Sequence, residues 1–172
     1  MINRVKNLCL SLTLLALFSC GTHRSTTGNS SSSVQKKYSK LLGVSEKEIT
    51  NKKLYSFIDK WYGVPYKYGG KSKNRVDCSG FTSILYKEVY GKEFSGSSES
   101  MNKQCKTISK SELREGDLVF FKIDSKDVSH VGIYLQNNKF IHATTKVGVM
   151  IDDLSEEYYN KYFESAGRIL SQ

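Results

Sequence analysis

The sequence has one proline, one tryptophan, three histidines and four cysteines in 172 residues. The cysteines, Cys9, Cys20, Cys78 and Cys105, are scattered and never form a Cys-x-x-Cys pair. Zinc-ligand spacing is therefore missing, which excludes a zinc finger or ribbon and a dithiol redox motif. No nucleotide-binding loop and no internal repeat appear, so phosphate cradles and solenoids are also excluded. The apolar run at residues 8–18 is too short to span a bilayer as a stable helix, which needs about 20 apolar residues. Acidic residues are outnumbered, with 17 Asp and Glu against 26 Lys and Arg, for a net charge of +9. Anionic polymers or lipid headgroups would be attracted, but a solvated lysine-rich face explains the same number, so charge does not decide function.

What is present divides the chain. Arg4 and Lys6 precede the apolar run, and small or polar residues surround Cys20, the pattern of a secretory signal over residues 1–19. Its removal takes away those two cations and no acid, leaving +7. Leu17-Phe18-Ser19-Cys20 resembles a bacterial lipobox, which implies that Cys20 is lipidated and becomes the mature N-terminus; ordinary signal cleavage is the plainer alternative. Residues 21–33 are rich in Ser, Thr, Gly and Asn, and residues 20–40 read as a flexible, lipid-anchored tether. His23 falls there and reads as solvated. An exported chain of this kind has no nucleic-acid partner to meet. The remaining residues, 41–172, suffice for one domain and are expected to act as a monomer.

Within that domain the apolar periodicity changes character midway. Ser45-x-x-Glu48 has capping-box form, and Asn51 is an equally good start for a helix carrying Leu54, Phe57, Ile58 and Trp61. Gly63 and Pro65 stop it. Phe81, Ile84, Leu85 and Val89 recur at helical spacing, predicting a second helix from about Cys78 to Tyr90, ended by Gly91. Residues 94–104 read as a polar loop with a helical turn. From residue 118 the pattern becomes short β-type runs at 118–121, 129–135, 139–145 and 149–152, separated by turn residues. A short helix from Ser155 to Tyr162 and a last strand at 166–170 complete it. Helices first and an antiparallel meander after define an α+β fold, with one sheet backing a helical layer.

The chemistry centres on Asp77-Cys78-Ser79-Gly80. A cysteine at a helix start has its sulfur beside unpaired N–H groups and the positive end of the helix dipole, a setting that favours thiolate. A buried core cysteine is the plain alternative, and a Cys78–Cys105 bridge is another in an oxidising compartment. Two histidines downstream, His130 and His142, sit in strand-like runs. Cysteine at a helix start with histidine on a sheet is the layout of Cys–His hydrolases.

The ordered blocks Trp61-x-Gly63-x-Pro65-Tyr66-x-Tyr68-Gly69-Gly70, Asp77-Cys78-Ser79-Gly80-Phe81, Gly116-Asp117-Leu118-Val119-Phe120-Phe121, His130-Val131-Gly132-Ile133-Tyr134 and Phe140-Ile141-His142-Ala143 resemble the NlpC family of bacterial cell-wall cysteine peptidases. The resemblance covers about residues 50–170. It departs where the family often has an arginine before the serines at 97 and 98; this chain has Gly96. It implies a papain-like fold, with N-terminal helices packed on an antiparallel sheet or partly open barrel. It further implies hydrolysis of peptidoglycan stem peptides between D-γ-glutamate and a diamino acid, without metal or cofactor. Cys78 would be the nucleophile, His130 the base and His142 its orienter. The Cys78 N–H and the Tyr66 hydroxyl are candidate oxyanion donors, though a packed aromatic explains Tyr66 equally well. Asp77 either caps the helix or meets a substrate amine, Ser79 is a candidate substrate contact, and Tyr68 reads as packing. A non-catalytic wall-binding lipoprotein, or a papain-like amidase or acyltransferase, is the alternative.

Strand parity makes one sharper demand. A two-residue turn at Asn137-Asn138 would pair odd with even positions and send His130 and His142 to opposite faces. A working pair therefore requires a three-residue turn or a bulge near residues 136–139.

Overall fold

The computed structural model describes residues 27–169. The segment 1–19 expected as a secretory signal, Cys20 and His23 lie outside the described residues.

The helical layer begins earlier than composition suggests. Helix α1 (Thr27–Leu42) occupies most of the stretch expected as a tether. Val34, Tyr38 and Leu42 are spaced by four, Tyr38 and Leu42 are fully buried, and Val34 packs against the same core. Three apolar positions on one stripe suffice to dock a helix whose other faces are polar. They meet helix α2 (Lys52–Trp61), with the Tyr38 and Tyr55 rings 5.4 Å apart and Lys37 paired to Asp59 at 2.6 Å.

Both candidate starts in this region are used. Ser45 caps a single 3-10 turn, Glu46–Glu48, its N–H donating to Glu48 at 2.8 Å. Asn51 caps α2 by accepting from the Leu54 N–H at 3.1 Å. Leu54, Tyr55, Phe57, Ile58 and Trp61 form the buried face of α2, at the spacing a half-buried helix requires. Helix α3 (Cys78–Leu85) runs on through a π-helical turn, Tyr86–Tyr90, and Gly91 ends it in the left-handed region at φ 68°. Helix α4 (Ser98–Gln104) is the turn expected in the polar loop, capped by Ser97.

Six strands form one antiparallel sheet: β1 (Lys106–Ile108), β2 (Leu118–Phe121), β3 (His130–Tyr134), β4 (Lys139–Thr144), β5 (Gly148–Asp153) and β6 (Phe163–Arg168). Their spatial order is β1-β6-β2-β3-β4-β5. The last strand thus inserts beside β2, and it begins three residues before the expected run because helix α5 (Glu157–Tyr162) hands over to it directly. The short β1 was not expected; three residues with no buried side chain leave no periodic signal.

All four residues of β2 are buried, so both faces of the sheet are covered. Leu118 and Phe120 join Val131, Ile133, Ile141 and Ala143 in the core under the helices. Val119 and Phe121 instead join Phe140, Leu154 and Tyr159 in a smaller cluster on the side of α5. The sheet therefore backs a helical layer on one face and carries one extra helix on the other.

The β3–β4 hairpin resolves the parity question. Leu135 donates to the Lys139 carbonyl at 2.8 Å and Lys139 back to Gln136 at 2.9 Å, with Asn137 and Asn138 at φ 49° and 59°. The closing pair leaves a three-residue loop. Ile133 faces Ile141 and Tyr134 faces Phe140, odd with odd and even with even. His130 and His142 consequently lie on one face.

Candidate active site

Cys78 is the first residue of α3, and the loop before it is tied down by Asp77. One carboxylate oxygen accepts from the Gly80 N–H at 2.6 Å and the Ser79 hydroxyl at 3.0 Å; the other accepts from the Gly69 N–H at 2.7 Å. Asp77 is thus a buried helix cap that also binds the preceding loop to the helix, and Ser79 is turned toward it. Gly80 sits against the Gly70 carbonyl so closely that any Cβ there would overlap the oxygen. The glycines at 70 and 80 are therefore required by chain-on-chain packing. Tyr68, expected to pack, is 89% exposed, and Gly69 after it adopts the left-handed region at φ 71°.

The Cys78 sulfur is nearly enclosed. The Ser98 hydroxyl lies 3.6 Å away, brought there by α4. Burial pushes the thiol above its ordinary value; the Ser98 hydroxyl and the Val131 N–H pull it back, Asp77 adds to the rise, and the Ser79 N–H opposes it. Burial therefore opposes the helix start, whose N–H groups and dipole favour thiolate. Cys78 and Cys105 are both free thiols. Cys105 is pushed up to about 12 by burial and by Asp117, which leaves it inert.

Val131, whose N–H points at the sulfur, follows His130 directly in β3. No hydrogen bond joins Sγ to the His130 ring among the described residues; that contact is commonly loose before substrate binds. The His130 Nε2 lies 2.6 Å from the His142 Nδ1, and the His142 Nε2 lies 2.9 Å from the Asp152 Oδ2. The Tyr159 hydroxyl donates to the same Asp152 oxygen. Asp152 and Tyr159 escaped the sequence reading. Asp152 stands on β5, with β4 between it and β3, and Tyr159 on α5; neither belongs to a motif block. The one available signal was an acid at the end of a strand neighbouring a histidine strand.

This chain of contacts assigns the protons. A carboxylate only accepts, so the His142 Nε2 carries its hydrogen toward Asp152, and its Nδ1 is left as an acceptor. His130 must then donate from Nε2, leaving its Nδ1 lone pair bare. Burial first, and the neighbouring His142 second, press His130 down to about 3, against the pull of Asp152. His142 is also lowered by burial, with Asp152 and Glu156 opposing. Burial works against the Asp152 charge, but the hydrogen bonds from His142 and Tyr159 hold its carboxyl below the ordinary range. At neutral pH the relay is imidazole, imidazole and carboxylate.

Acid should therefore unfold the protein. Depressed histidines stay neutral when folded but charge freely when unfolded, so the unfolded state binds more protons as pH falls from about 6.5 toward 3. The depressed Asp152 acts in the same direction. Their stabilisation is complete above this window and lost within it. The melting temperature is expected to fall between pH 7 and pH 4, and to fall less in a His130→Asn, His142→Asn double variant. An equal slope in both proteins would contradict the assignment.

A cleft of about 580 Å³ opens on the histidine side, lined by Tyr66, His130 and His142 together with residues of the β4–β5 turn and α5. The Tyr66 hydroxyl has no hydrogen bond among the described residues, and burial, then Cys78 and Asp77, raise its pKa. It is a free donor near the sulfur. A smaller cavity of about 220 Å³ near Tyr86, Arg114 and Arg168 holds neither nucleophile nor base. The base and its relay line the larger one, and Cys78 lines neither.

Comparison with known proteins shows the family of the chain. The model of the NlpC/P60 family matches residues 63–168. A protein of Escherichia coli named murein DD-endopeptidase MepS/murein LD-carboxypeptidase is 43% identical over 112 residues, covering 65% of this chain and 59% of that one. A probable endopeptidase NlpC homolog of Haemophilus influenzae is 39% identical over 120 residues, covering 70% and 63%. The chain thus spans about three-fifths of the length of these curated relatives. Among solved structures, an NlpC/P60 family protein from Bacillus cereus superposes with a TM-score of 0.65 at 30% identity, over 71% of this chain and 41% of that one.

Proposed function

The chain belongs to the NlpC/P60 family, and on that premise we propose that it is a cysteine peptidase hydrolysing peptidoglycan stem peptides, at the D-γ-glutamyl–diamino acid bond. The observation that carries the reading is the hydrogen-bonded relay from His130 through His142 to Asp152, on the strand whose next N–H points at the Cys78 sulfur. A wall-binding module has no use for a base held in one tautomer beside a thiol.

In this mechanism the His130 Nδ1 takes the proton of the Cys78 thiol as sulfur adds to the carbonyl carbon. The oxyanion is met by the N–H of Cys78 at the helix start and by the Tyr66 hydroxyl. The imidazolium, steadied through His142 by the Asp152 charge, protonates the leaving amine as the thioester forms. His130 then activates water to release the acid. His142 and Asp152 are positioning residues in this scheme.

Digestion of purified wall followed by mass spectrometry of the fragments tests it. New free γ-carboxyl and diamino N-termini are expected; fragments cut only at other bonds would replace the bond assignment. The motif ending at Cys20 supports anchoring of the exported protein to a membrane by lipid, in which each buried CH2 contributes roughly 0.8 kcal/mol. Radiolabelled palmitate is expected in the parent and absent from Cys20→Ala; label persisting in the variant would remove the anchor.

A further inference from the structure

Asp152 is the weak point of the relay. It stands on β5, the edge strand of the sheet, and its side chain is 14% exposed. His142 reaches it only diagonally from β4: in the register of the two strands His142 lies opposite Met150, and Asp152 opposite Phe140. One hydrogen bond from a diagonal neighbour, in competition with water, leaves a carboxylate free to turn away. The other side is closed from α5. Tyr159 donates to Oδ2 of Asp152, the oxygen that also receives the His142 Nε2 hydrogen at 2.9 Å, and its hydroxyl stands 3.4 Å from that nitrogen. The three groups form a closed triangle. The tyrosine ring is 9% exposed and lies edge-on to Phe121, Phe140 and His142, with centroids 5.7, 4.9 and 5.4 Å away, so it cannot swing out. Burial, then the hydrogen bond to Asp152, raises its pKa, which keeps it a protonated donor. Its one hydrogen goes to the carboxylate and does not compete for the lone pair of the His142 ring.

We propose that Tyr159 is a further positioning residue of the relay. It holds the Asp152 carboxylate in the orientation that keeps the His142 hydrogen on Nε2, and so leaves the His130 Nδ1 lone pair for the thiol proton. This rests on the peptidase reading and extends its relay by one group, supplied from α5. No hydrogen bond joins Tyr159 to His130 or Cys78 among the described residues, so its effect passes through Asp152 and His142. The clamp also sets when the relay fails in acid. Asp152 faces His142 of β4 and Tyr159 of α5 directly, His130 of β3 acts on it through its charge, and Glu156 acts on both His142 and Tyr159. The tyrosine hydrogen bond helps to hold the carboxyl low; without it the carboxyl takes a proton at higher pH. A protonated carboxyl donates where a carboxylate accepts, and the His142 tautomer then reverses.

Tyr159→Phe keeps the ring contacts and removes only the hydroxyl. With the full chain and a synthetic stem peptide it is expected to lower kcat about tenfold at neutral pH with KM unchanged, and to move the acid limb of the kcat profile to higher pH. In an Asp152→Leu background, where the hydroxyl has no carboxylate to hold, Tyr159→Phe should bring no further loss; a tyrosine that merely packs would cost the same in both backgrounds. Nitrogen-15 shifts of the histidine rings give a readout that needs no turnover. The parent should keep both hydrogens on Nε2 on mild acidification, and Tyr159→Phe should show His142 as a mixture of tautomers. A kcat within about twofold of the parent with an unmoved acid limb, or an equal loss in the two backgrounds, overturns the positioning role and leaves the peptidase reading standing. No hydrolysis by the parent defeats that reading, and the ring shifts then decide the tyrosine: a His142 tautomer unchanged in Tyr159→Phe would overturn its role.

Discussion

Cys78→Ser is expected to lower kcat by at least about 10³-fold while leaving the melting temperature within about a degree or two of the parent. Serine keeps the shape at the start of α3 and the contact with the Ser98 hydroxyl, 3.6 Å from the sulfur, so little packing is lost. Reactivity is lost because a hydroxyl ionises far less readily than a thiol in the same enclosed site, where burial already raises the thiol. His130→Ala should cost about as much, and the double variant no more than either single one, since the two groups act as a unit. Residual turnover within tenfold of the parent for Cys78→Ser would remove the nucleophile from the mechanism. Costs that add in the double variant would show that His130 acts elsewhere. Steady-state kinetics on one stem peptide, with melting curves beside them, reads both.

The motif blocks made the main elements of the site legible because each is a local solution to a backbone problem. Asp77 caps a helix, Gly80 clears the Gly70 carbonyl, and the alternating runs from residue 118 onward become strands of one sheet. Parity, with a working histidine pair, required a three-residue turn or a bulge between the histidine strands, and Leu135 closes such a turn on Lys139. Three things were hidden, each for a tertiary reason. Helix α1 carries only three apolar positions on its buried stripe, too few to outweigh its Ser and Asn content until Tyr38 and Leu42 meet α2. The helix start favours a Cys78 thiolate, but enclosure by α4 and β3, which opposes it, is a tertiary effect. Asp152 and Tyr159 are recruited by β5 and α5, and no spacing in a single chain reports that β5 adjoins the strand of His142.

The hidden pair supports the last and more discriminating expectation. His142→Leu removes the acceptor for the His130 Nε2 hydrogen, now 2.6 Å away. The imidazole would then be free to rotate and to place its proton on either nitrogen, and half-correct tautomers cannot accept from the thiol. A loss of about 10²- to 10³-fold is expected, in kcat and not in KM, because the substrate is not touched. Asp152 acts one step further out, where removal of a supporting partner commonly costs about 10- to 100-fold. Asp152→Leu should fall in that range. Asp152→Asn should stay within about tenfold of the parent, for a geometric reason: His142 and Tyr159 both donate to the same oxygen, Oδ2. An asparagine carbonyl placed there accepts from both and preserves the tautomer of each histidine, losing only the negative charge. The acid limb of the kcat profile should then move with charge and not with hydrogen bonding. Without the carboxylate the imidazolium of His130 is less favoured, so its pKa falls and the acid limb of Asp152→Asn lies at or below that of the parent. Equal losses in Asp152→Asn and Asp152→Leu would mean that the charge, not the oriented oxygen, is what matters. His142→Leu within tenfold of the parent would make His142 a packing residue of the sheet face it shares with Phe140 and leave His130 oriented by something else.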